Sequence, residues 1–459
     1  MADFTDLRGK YAAILGLGRA NLPLIDELTA RGARVTVRDR RPPEALPLSP
    51  AALTARGIPF FCGDGYLDGI FEDYLFRAPG MRPDLLPLRE AAARGARLVS
   101  EYEMFASLCP APLLGITGSD GKTTTTTLAG LFLEEDGARR VFVGGNIGTP
   151  LLSFLKEIRE KDIAVAELSS FQLMDATVAP ARAVITNISE NHLDWHTDMA
   201  EYIAAKRRIL GAHTHAVLNA DSPVTAAIAQ ERGDKTLFSS RAERADLLSR
   251  FGDCHTVTAE GGSVCYDGIS LFSVGALRLR GRHNLENCMA AIGLTYPFVC
   301  DKGTFLRVAR RFGGVAHRLE CVGCARGVTY YNSSIDSTPT RTAAALAALG
   351  GRPILLCGGR GKGLSYTPLG KAARGRVRAL LLFGEAREEI ACAMRGAGVA
   401  HECFATMEEA LDRAREIAVS DDTVLLSPAC TSFDAYKNFE ERGECFRRQV
   451  QGYIKEEET

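Results

Sequence analysis

The sequence has almost no surplus of either charge: 55 lysines and arginines stand against 56 aspartates and glutamates. Nothing in the bulk composition therefore selects a polyanion or an anionic membrane surface as partner. Any recognition of phosphate has to be local. The chain also lacks a run of about 18 apolar residues, the length a bilayer-spanning helix needs. Its opening, MADFTDLRGKYAAILGLG, lacks the basic, apolar and small-residue succession of a secretory leader. These absences predict a cytoplasmic protein with no membrane insertion and no nucleic-acid partner. A disulfide framework is missing as well. The 13 cysteines are an odd number, and Cys300, Cys357 and Cys392 lie in apolar segments where a thiol behaves as a small hydrophobe. The one close pair, Cys321 and Cys324, has no second pair at zinc-finger spacing.

What is present is a long alternation of two periods. At 459 residues there is room for about three domains of roughly 150 residues. Short β-branched or leucine-rich runs alternate with amphipathic helical stretches, the pattern of parallel sheets covered by helices, so the class is α/β. Candidate strands are Tyr11–Leu15, Ala33–Val37, Leu113–Ile116, Asp162–Ala166, Ala183–Asn187, Ala216–Asn219, Pro353–Cys357, Ala379–Phe383 and Thr423–Leu426. Composition shifts at Cys109–Pro112 and Phe312–Ala316 divide the chain, and domains of residues 1–102, 103–314 and 315–459 are expected.

The most informative stretch is LLGITGSDGKTTTTTLAGLF, Leu113 to Phe132. An apolar strand leads into the turn Thr117–Gly121, and a threonine-rich run starting at Lys122 leads into a helix predicted over Leu128–Glu135. Strand, glycine turn and helix aim backbone N–H groups and a positive helix end at phosphate oxygens. Gly118 and Gly121 allow the turn, with Ser119 and Asp120 between them. Lys122 reaches terminal phosphates, and the Thr123 hydroxyl, followed by Thr124, is a magnesium ligand. The glycine that usually opens such a loop is replaced by Ile116, which shortens the loop without abolishing it.

A magnesium–nucleotide site needs an acid at a neighbouring strand end, and Glu167 closes the apolar run Ala164–Ala166. Downstream, His192 and His196 stand i,i+4 in a segment that reads as a loop. Three readings are open for them: a zinc pair, surface histidines, or His192 facing the nucleotide. Near the N-terminus Gly16-Leu17-Gly18, followed by Arg19, fits a pyrophosphate turn. Asp39 ends the second strand about 20 residues on, as in dinucleotide folds. Asn21 in place of the third glycine argues against a nicotinamide dehydrogenase.

Taken together, Gly118–Thr123, Glu167–Leu173, Asn191–Asp194, Gly281–Asn287 and His317-Arg318 resemble the successive signatures of the Mur ligases, the ATP-dependent amide-forming enzymes of peptidoglycan precursor synthesis. The run Leu425–Gly443 resembles the branch that adds D-glutamate to UDP-N-acetylmuramoyl-L-alanine. The resemblance implies a Rossmann-like N-terminal domain for the UDP substrate, a central P-loop ATPase domain and a Rossmann-like C-terminal domain for the amino acid. A monomer that works through an acyl phosphate, using ATP and two Mg2+ ions, is expected.

Residue by residue, the resemblance gives one magnesium to Thr123 and Glu167 and the second to His192. It gives a carbamate to Lys206, which its neighbours alone would place on a solvated basic helix face. Asn284 and Asn287 become nucleotide contacts, Arg318 reaches the γ-phosphate, and Lys122, His192, Lys206 and Arg318 form the catalytic group. Gly16, Leu17, Gly18, Arg19, Asp39, Pro79, Gly80 and Asn146 are assigned to the UDP substrate, Asn146 beside the reacting phosphate. In the turn Ala78-Pro79-Gly80, alanine stands where the family has serine. Lys362, Ser432, Phe433 and Phe439 are assigned to D-glutamate, with a helix-core role as the other reading of Phe439.

The chain departs from the pattern at Asn332–Ser337, where Ser333 and Ile335 replace a family Asp and Lys. Weaker nucleotide discrimination is expected there, with Asp336 and Arg341 as substitutes for the lost acid and cation. Two alternatives stay open: a sister ligase adding another amino acid, against which the absence of an Asp-Asn-Pro-Arg run argues, and a non-catalytic binder of UDP-sugars or nucleotide.

Overall fold

The computed structural model describes residues 4–279 and 281–458. Among these the chain forms mixed α/β structure around three sheets and divides into two compact units between Phe312 and Gly313. In the first unit a parallel sheet places Tyr11–Leu15 between Arg34–Asp39 and Tyr74–Arg77, with Phe60–Cys62 and Arg97–Val99 at its edges. The same unit contains a larger sheet. Its strand Leu113–Thr117 runs parallel to Ile163–Glu167 on one side and Arg182–Ile185 on the other. That sheet continues through His215–Asn219 and Lys235–Ser239 to an antiparallel meander, His255–Glu260, Ser263–Tyr266 and Ile269–Ser273.

Leu113–Thr117 is buried at every position, which is why it reads as a continuous apolar run and not as an alternating one. The helix behind it begins at Lys122 and runs to Asp136, a turn and a half before the sequence pattern suggests. β-Branched residues lose side-chain freedom in a helix. Here Thr125 and Thr126 are buried, the Thr127 hydroxyl donates to the Thr123 carbonyl at 2.8 Å, and Arg282–Thr295 packs along the same helix. Tertiary packing has overridden intrinsic propensity.

In the second unit Val328–Asn332, Thr423–Leu426, Ile354–Gly358 and Ala379–Phe383 are parallel neighbours in that order, and Glu320–Ala325 pairs antiparallel at one edge. Cys321 and Cys324 lie in that edge strand, so the close cysteine pair is part of a β-ladder. All 13 cysteines are free thiols.

Candidate functional site

In the larger sheet of the first unit, the turn after Leu113–Thr117 is built so that only glycine fits at two positions. Gly118 has φ 153° and Gly121 φ 78°. A Cβ on Gly118 would lie 1.8 Å from the Thr186 hydroxyl, and one on Gly121 would lie 2.0 Å from the Asn287 Oδ1. Residue 121 is the helix N-cap in the left-handed region, where any other L-residue is strained. The turn is braced from the neighbouring strand end: the Asp120 N–H donates to Asn187 Oδ1 at 3.0 Å, and the Thr186 hydroxyl donates to the Asp120 carbonyl at 2.6 Å. Ser119 is buried, shares a hydrogen bond of 3.0 Å with the Tyr202 hydroxyl and accepts the Ser189 N–H at 2.9 Å.

Two lysine side chains converge on this turn. Lys122 Nζ donates to the carbonyls of Gly118 and Ser119, both at 2.9 Å. Lys206, only 1% exposed, donates to the Gly118 carbonyl at 2.7 Å. Burial, reinforced by the nearby Lys122 cation, holds the Lys206 amine well below the usual lysine range, against the opposing pull of Asp120 and Glu167. Far from lying on a solvated basic face, Lys206 points into the sheet end.

Glu167 closes the adjacent strand and is buried. Its Oε1 accepts the Asn146 amide at 2.9 Å, while its Oε2 is buried with no hydrogen-bond partner among the described residues. An unpartnered buried carboxylate oxygen is costly unless a cation completes it. With the Thr123 hydroxyl at the start of the helix and this orphaned oxygen at the strand end, the oxygen donors fit a hard divalent ion.

His192 stands beside this group in a strained backbone, φ 55°. Partial burial and the cations Lys122 and Lys206 lower its pKa, which favours the neutral imidazole that ligates metals. His196 behaves differently. It is buried, with Nδ1 3.1 Å from Glu201 and Nε2 2.9 Å from the Ser170 hydroxyl. Both ring nitrogens are engaged, so the i,i+4 pair is not a zinc pair. No cluster of three potential ligands from His, Cys, Asp and Glu occurs among the described residues.

A cavity of about 360 Å³ opens beside the turn, lined by Asp120, Gly121, Asn187, Phe238, His283 and Asn287 among others. Asn287 is buried, and its amide lies 3.5 Å from the Asn284 Oδ1. Asn187, Phe238 and His283 were not picked out from sequence. His283 sits inside the Gly281–Asn287 signature and was findable; Asn187 and Phe238 arrive from other strand ends and carry no local signal.

In the first sheet, the Leu17 N–H donates to Asp39 at 2.8 Å, and Arg41 pairs with the same carboxylate at 2.7 Å. Burial pushes that carboxyl up, but the hydrogen bonds from Arg41 and Leu17 hold it below its usual range. Asn21 donates its amide to the Gly16 carbonyl at 3.0 Å, so the residue in place of the third glycine closes the turn with its side chain. Gly18 and Arg19 follow in the same turn, Arg19 exposed. The turn Ala78–Met81 is fixed by its own carbonyls: Arg77, buried, donates to Pro79 at 3.1 Å and Met81 at 2.7 Å, and also to the Phe171 carbonyl at 2.9 Å.

The second unit holds the remaining candidates. Lys362 is exposed and donates to the Ser337 hydroxyl at 3.0 Å; Ser337 is a neighbour that sequence reading did not assign. Ser432 is buried and Phe433 is 60% exposed. Phe439 begins the helix Phe439–Glu458, its ring 6.0 Å from that of His317. Arg318 lies between His317 and Leu319, both with positive φ. Ser333 is buried, and the Asp336 carboxylate beside it accepts the Ser427 hydroxyl at 2.9 Å. Burial raises the Asp336 pKa, partly offset by the Ser333 and Ser427 hydroxyls and by the Arg341 and Arg318 cations.

Arg442 is fully buried, with no carboxylate partner among the described residues. It donates to the carbonyls of Ser334, Thr431 and Cys430 at 2.8, 3.1 and 3.2 Å and to the Ser334 hydroxyl at 3.0 Å. Burial pulls its pKa down to about 10.

A glycine turn on a parallel sheet, with two lysines, a buried strand-end acid and an adjacent cavity, defines a nucleotide-handling class of protein. Residues 116–295 match the model of the Mur ligase middle domain, and residues 317–430 that of the Mur ligase glutamate ligase domain. The chain belongs to the Mur ligase family, whose members are ATP-dependent, amide-bond-forming ligases. A UDP-N-acetylmuramoylalanine--D-glutamate ligase of Ruminiclostridium cellulolyticum is 39% identical over 459 residues, covering 97% of each chain. One of Symbiobacterium thermophilum is 41% identical over 448 residues, covering 96% of this chain and 97% of its own. Among solved structures, the UDP-N-acetylmuramate-alanine ligase of Thermotoga maritima shares the fold, with a TM-score of 0.54 at 19% identity, covering 96% of this chain and 99% of the other. No helix among the described residues is long and apolar enough to cross a membrane.

Proposed function

We propose that this protein joins D-glutamate to UDP-N-acetylmuramoyl-L-alanine with consumption of ATP, a cytoplasmic step of peptidoglycan precursor synthesis. The observation that carries this reading is the convergence of Lys122, Thr123, Glu167, His192 and Lys206 on one glycine turn. Near-full-length similarity to relatives named for that reaction supports the choice of substrates. In this reading residues 1–102 form a Rossmann-like domain for the UDP substrate, 103–314 a P-loop ATPase domain, and 315–459 a Rossmann-like domain for the amino acid.

The chemistry follows from what an amide bond needs. A carboxylate is a poor acyl donor, so the L-alanyl carboxylate attacks the ATP γ-phosphate, releasing ADP and giving an acyl phosphate. The D-glutamate amine then attacks the acyl carbon through a tetrahedral adduct, losing a proton as phosphate leaves. The backbone N–H groups of the turn and the helix start receive the phosphates, and Lys122, freed from its own turn carbonyls, neutralises charge as it develops. Magnesium, when bound, screens the phosphate oxygens from the incoming carboxylate. Thr123 and Glu167 would hold one ion and His192 a second, and Arg318 is assigned to the γ-phosphate. The cavity lined by His283 and Asn287 takes the adenine, while Lys362, Ser337, Ser432 and Phe439 take D-glutamate. Asp39, Gly16–Arg19 and Pro79-Gly80 hold the UDP, with Asn146 near the reacting phosphate.

Lys206 enters as a neutral amine, the form its burial favours. Its attack on carbon dioxide, with loss of one proton, gives a carbamate whose negative charge suits a site rich in cations. The test is direct: the protein, ATP, magnesium and UDP-N-acetylmuramoyl-L-alanine are incubated with single amino acids and phosphate release is followed. D-Glutamate alone should support turnover. Release with another amino acid assigns a sister activity, and no release with any assigns a binding role. Loss of turnover in Lys206→Ala with recovery by small carboxylates supports the carbamate; unchanged turnover in that variant removes it.

A further inference from the structure

The turn Ala78–Arg82 and the turn His192–His196 belong to different sheets, yet they are fastened to each other by side chains that neither the fold nor the phosphate chemistry requires. Trp195 Nε1 donates to the Gly80 carbonyl at 2.9 Å. Arg82 returns the contact: it donates to the Trp195 carbonyl, lies over the indole at 5.0 Å from the ring centre, and pairs with Glu201 at 3.1 Å. Glu201 in turn accepts the Thr197 N–H at 2.9 Å and lies 3.1 Å from His196 Nδ1.

The same few residues hold His192. Its carbonyl accepts the N–H groups of Trp195 and His196 at 3.1 and 2.9 Å, and its left-handed backbone persists only while that turn is held. The Phe171 ring packs 4.6 Å from Trp195 and 4.9 Å from His192, and the Phe171 carbonyl accepts Arg77 Nη2, while Nη1 of the same guanidinium donates to the Pro79 and Met81 carbonyls. The turn at 78–82 is therefore gripped from two sides by groups that also fix the imidazole.

We propose that Trp195 is a positioning residue of the ligation reaction: with Arg82 and Glu201 it straps the sugar-nucleotide turn to the His192 turn, so that precursor bound at Pro79-Gly80 sets the imidazole beside the phosphates. This rests on the functional reading above. Two binding events that share one ordered strap help each other, since the first to bind meets the ordering cost for both.

The single tryptophan makes the strap its own reporter. Binding of UDP-N-acetylmuramoyl-L-alanine to the wild-type protein should shift Trp195 emission, and calorimetry should find the precursor bound about tenfold tighter with magnesium and AMP-PNP present, within the usual range for coupled sites. In Trp195→Phe, which keeps a ring and loses the N–H, the precursor should still bind, AMP-PNP affinity should stay within about twofold, and the coupling should fall to about twofold or less. Arg82→Lys, which keeps the charge and loses the forked contact, should do the same and decides the question if the Phe variant does not fold. Coupling retained in the variants, or absent in the wild type, or an emission unmoved by precursor, overturns the strap while leaving the assigned reaction standing. Failure of the precursor to bind at all sinks the assigned substrate first.

Discussion

Replacing Lys206 by methionine separates the stability of this protein from its chemistry. The Lys206 side chain is 1% exposed, and burying it costs several kcal/mol if the charge is kept, or the free energy of giving up its proton if it is not. Against that stand a long hydrogen bond from Nζ to the Thr117 hydroxyl at 3.5 Å and a shorter one to the Gly118 carbonyl at 2.7 Å, the latter of about 0.5–1.5 kcal/mol. Its loss falls at the low end, because the same carbonyl also accepts Lys122 at 2.9 Å and is not orphaned. Methionine fills a similar volume. Lys206→Met is therefore expected to be at least as stable as the wild type at pH 7 while losing turnover.

The pH dependence gives the sharper test. The folded pKa lies well below the unfolded one, so between the two the unfolded chain binds more protons. Wild-type stability then rises with pH, by up to about 1.4 kcal/mol per unit from this group. The burden on the wild type is full below the folded pKa and gone above the unfolded pKa. Urea unfolding in carbon-dioxide-free buffer, followed by Trp195 fluorescence, should find the variant's advantage shrinking as pH rises from 7 towards 10. An advantage that does not change with pH would mean that Lys206 stays charged in the fold, and the neutral amine and its carbamate would both be refuted.

Three further outcomes are expected. Gly121→Ala places a methyl 2.0 Å from Asn287 Oδ1 on a left-handed backbone that costs alanine about 1–2 kcal/mol; thermal unfolding should register that loss, AMP-PNP affinity should fall about tenfold or more, and Asn287→Ala in the same background should recover part of the stability only. Arg442→Met leaves the Ser334 and Cys430 carbonyls unpaired, while the Thr431 carbonyl keeps the Arg360 N–H at 2.9 Å; it should lower stability by about 3 kcal/mol, with a raised KM for D-glutamate measured by phosphate release. Ser333→Asp restores the family acid at a buried position beside Asp336; it should tighten AMP-PNP binding at a stability loss of about 1–3 kcal/mol, and equal affinity in the two proteins would mean that Ser333 costs nothing.

The strands were legible because each is buried on both faces and so written as an apolar run: Tyr11–Leu15, Ala379–Phe383 and Thr423–Leu426 agree residue for residue with expectation. The helix start at Lys122 was not, since threonine's own preferences point away from a helix and only packing reverses them. Motif positions such as Gly118 and Glu167 are local in sequence and could be picked out. Asn187, Phe238 and Ser337 reach their places through the order of strands in the sheets, which no short window contains. Arg442 illustrates the deepest limit. In Glu440-Glu441-Arg442 it looks like one more charge on a wet helix, and only the carbonyls gathered from distant loops reveal a buried cation.

That buried cation has a consequence for how such a unit can diversify. The Ser334 and Cys430 carbonyls share a single fastener, so lengthening either of the loops that bear them would release both. Variation in what this end of the sheet accepts is thereby channelled into side chains displayed outside the clasp, such as Lys362, Ser337 and Phe433, while the loops themselves keep their length.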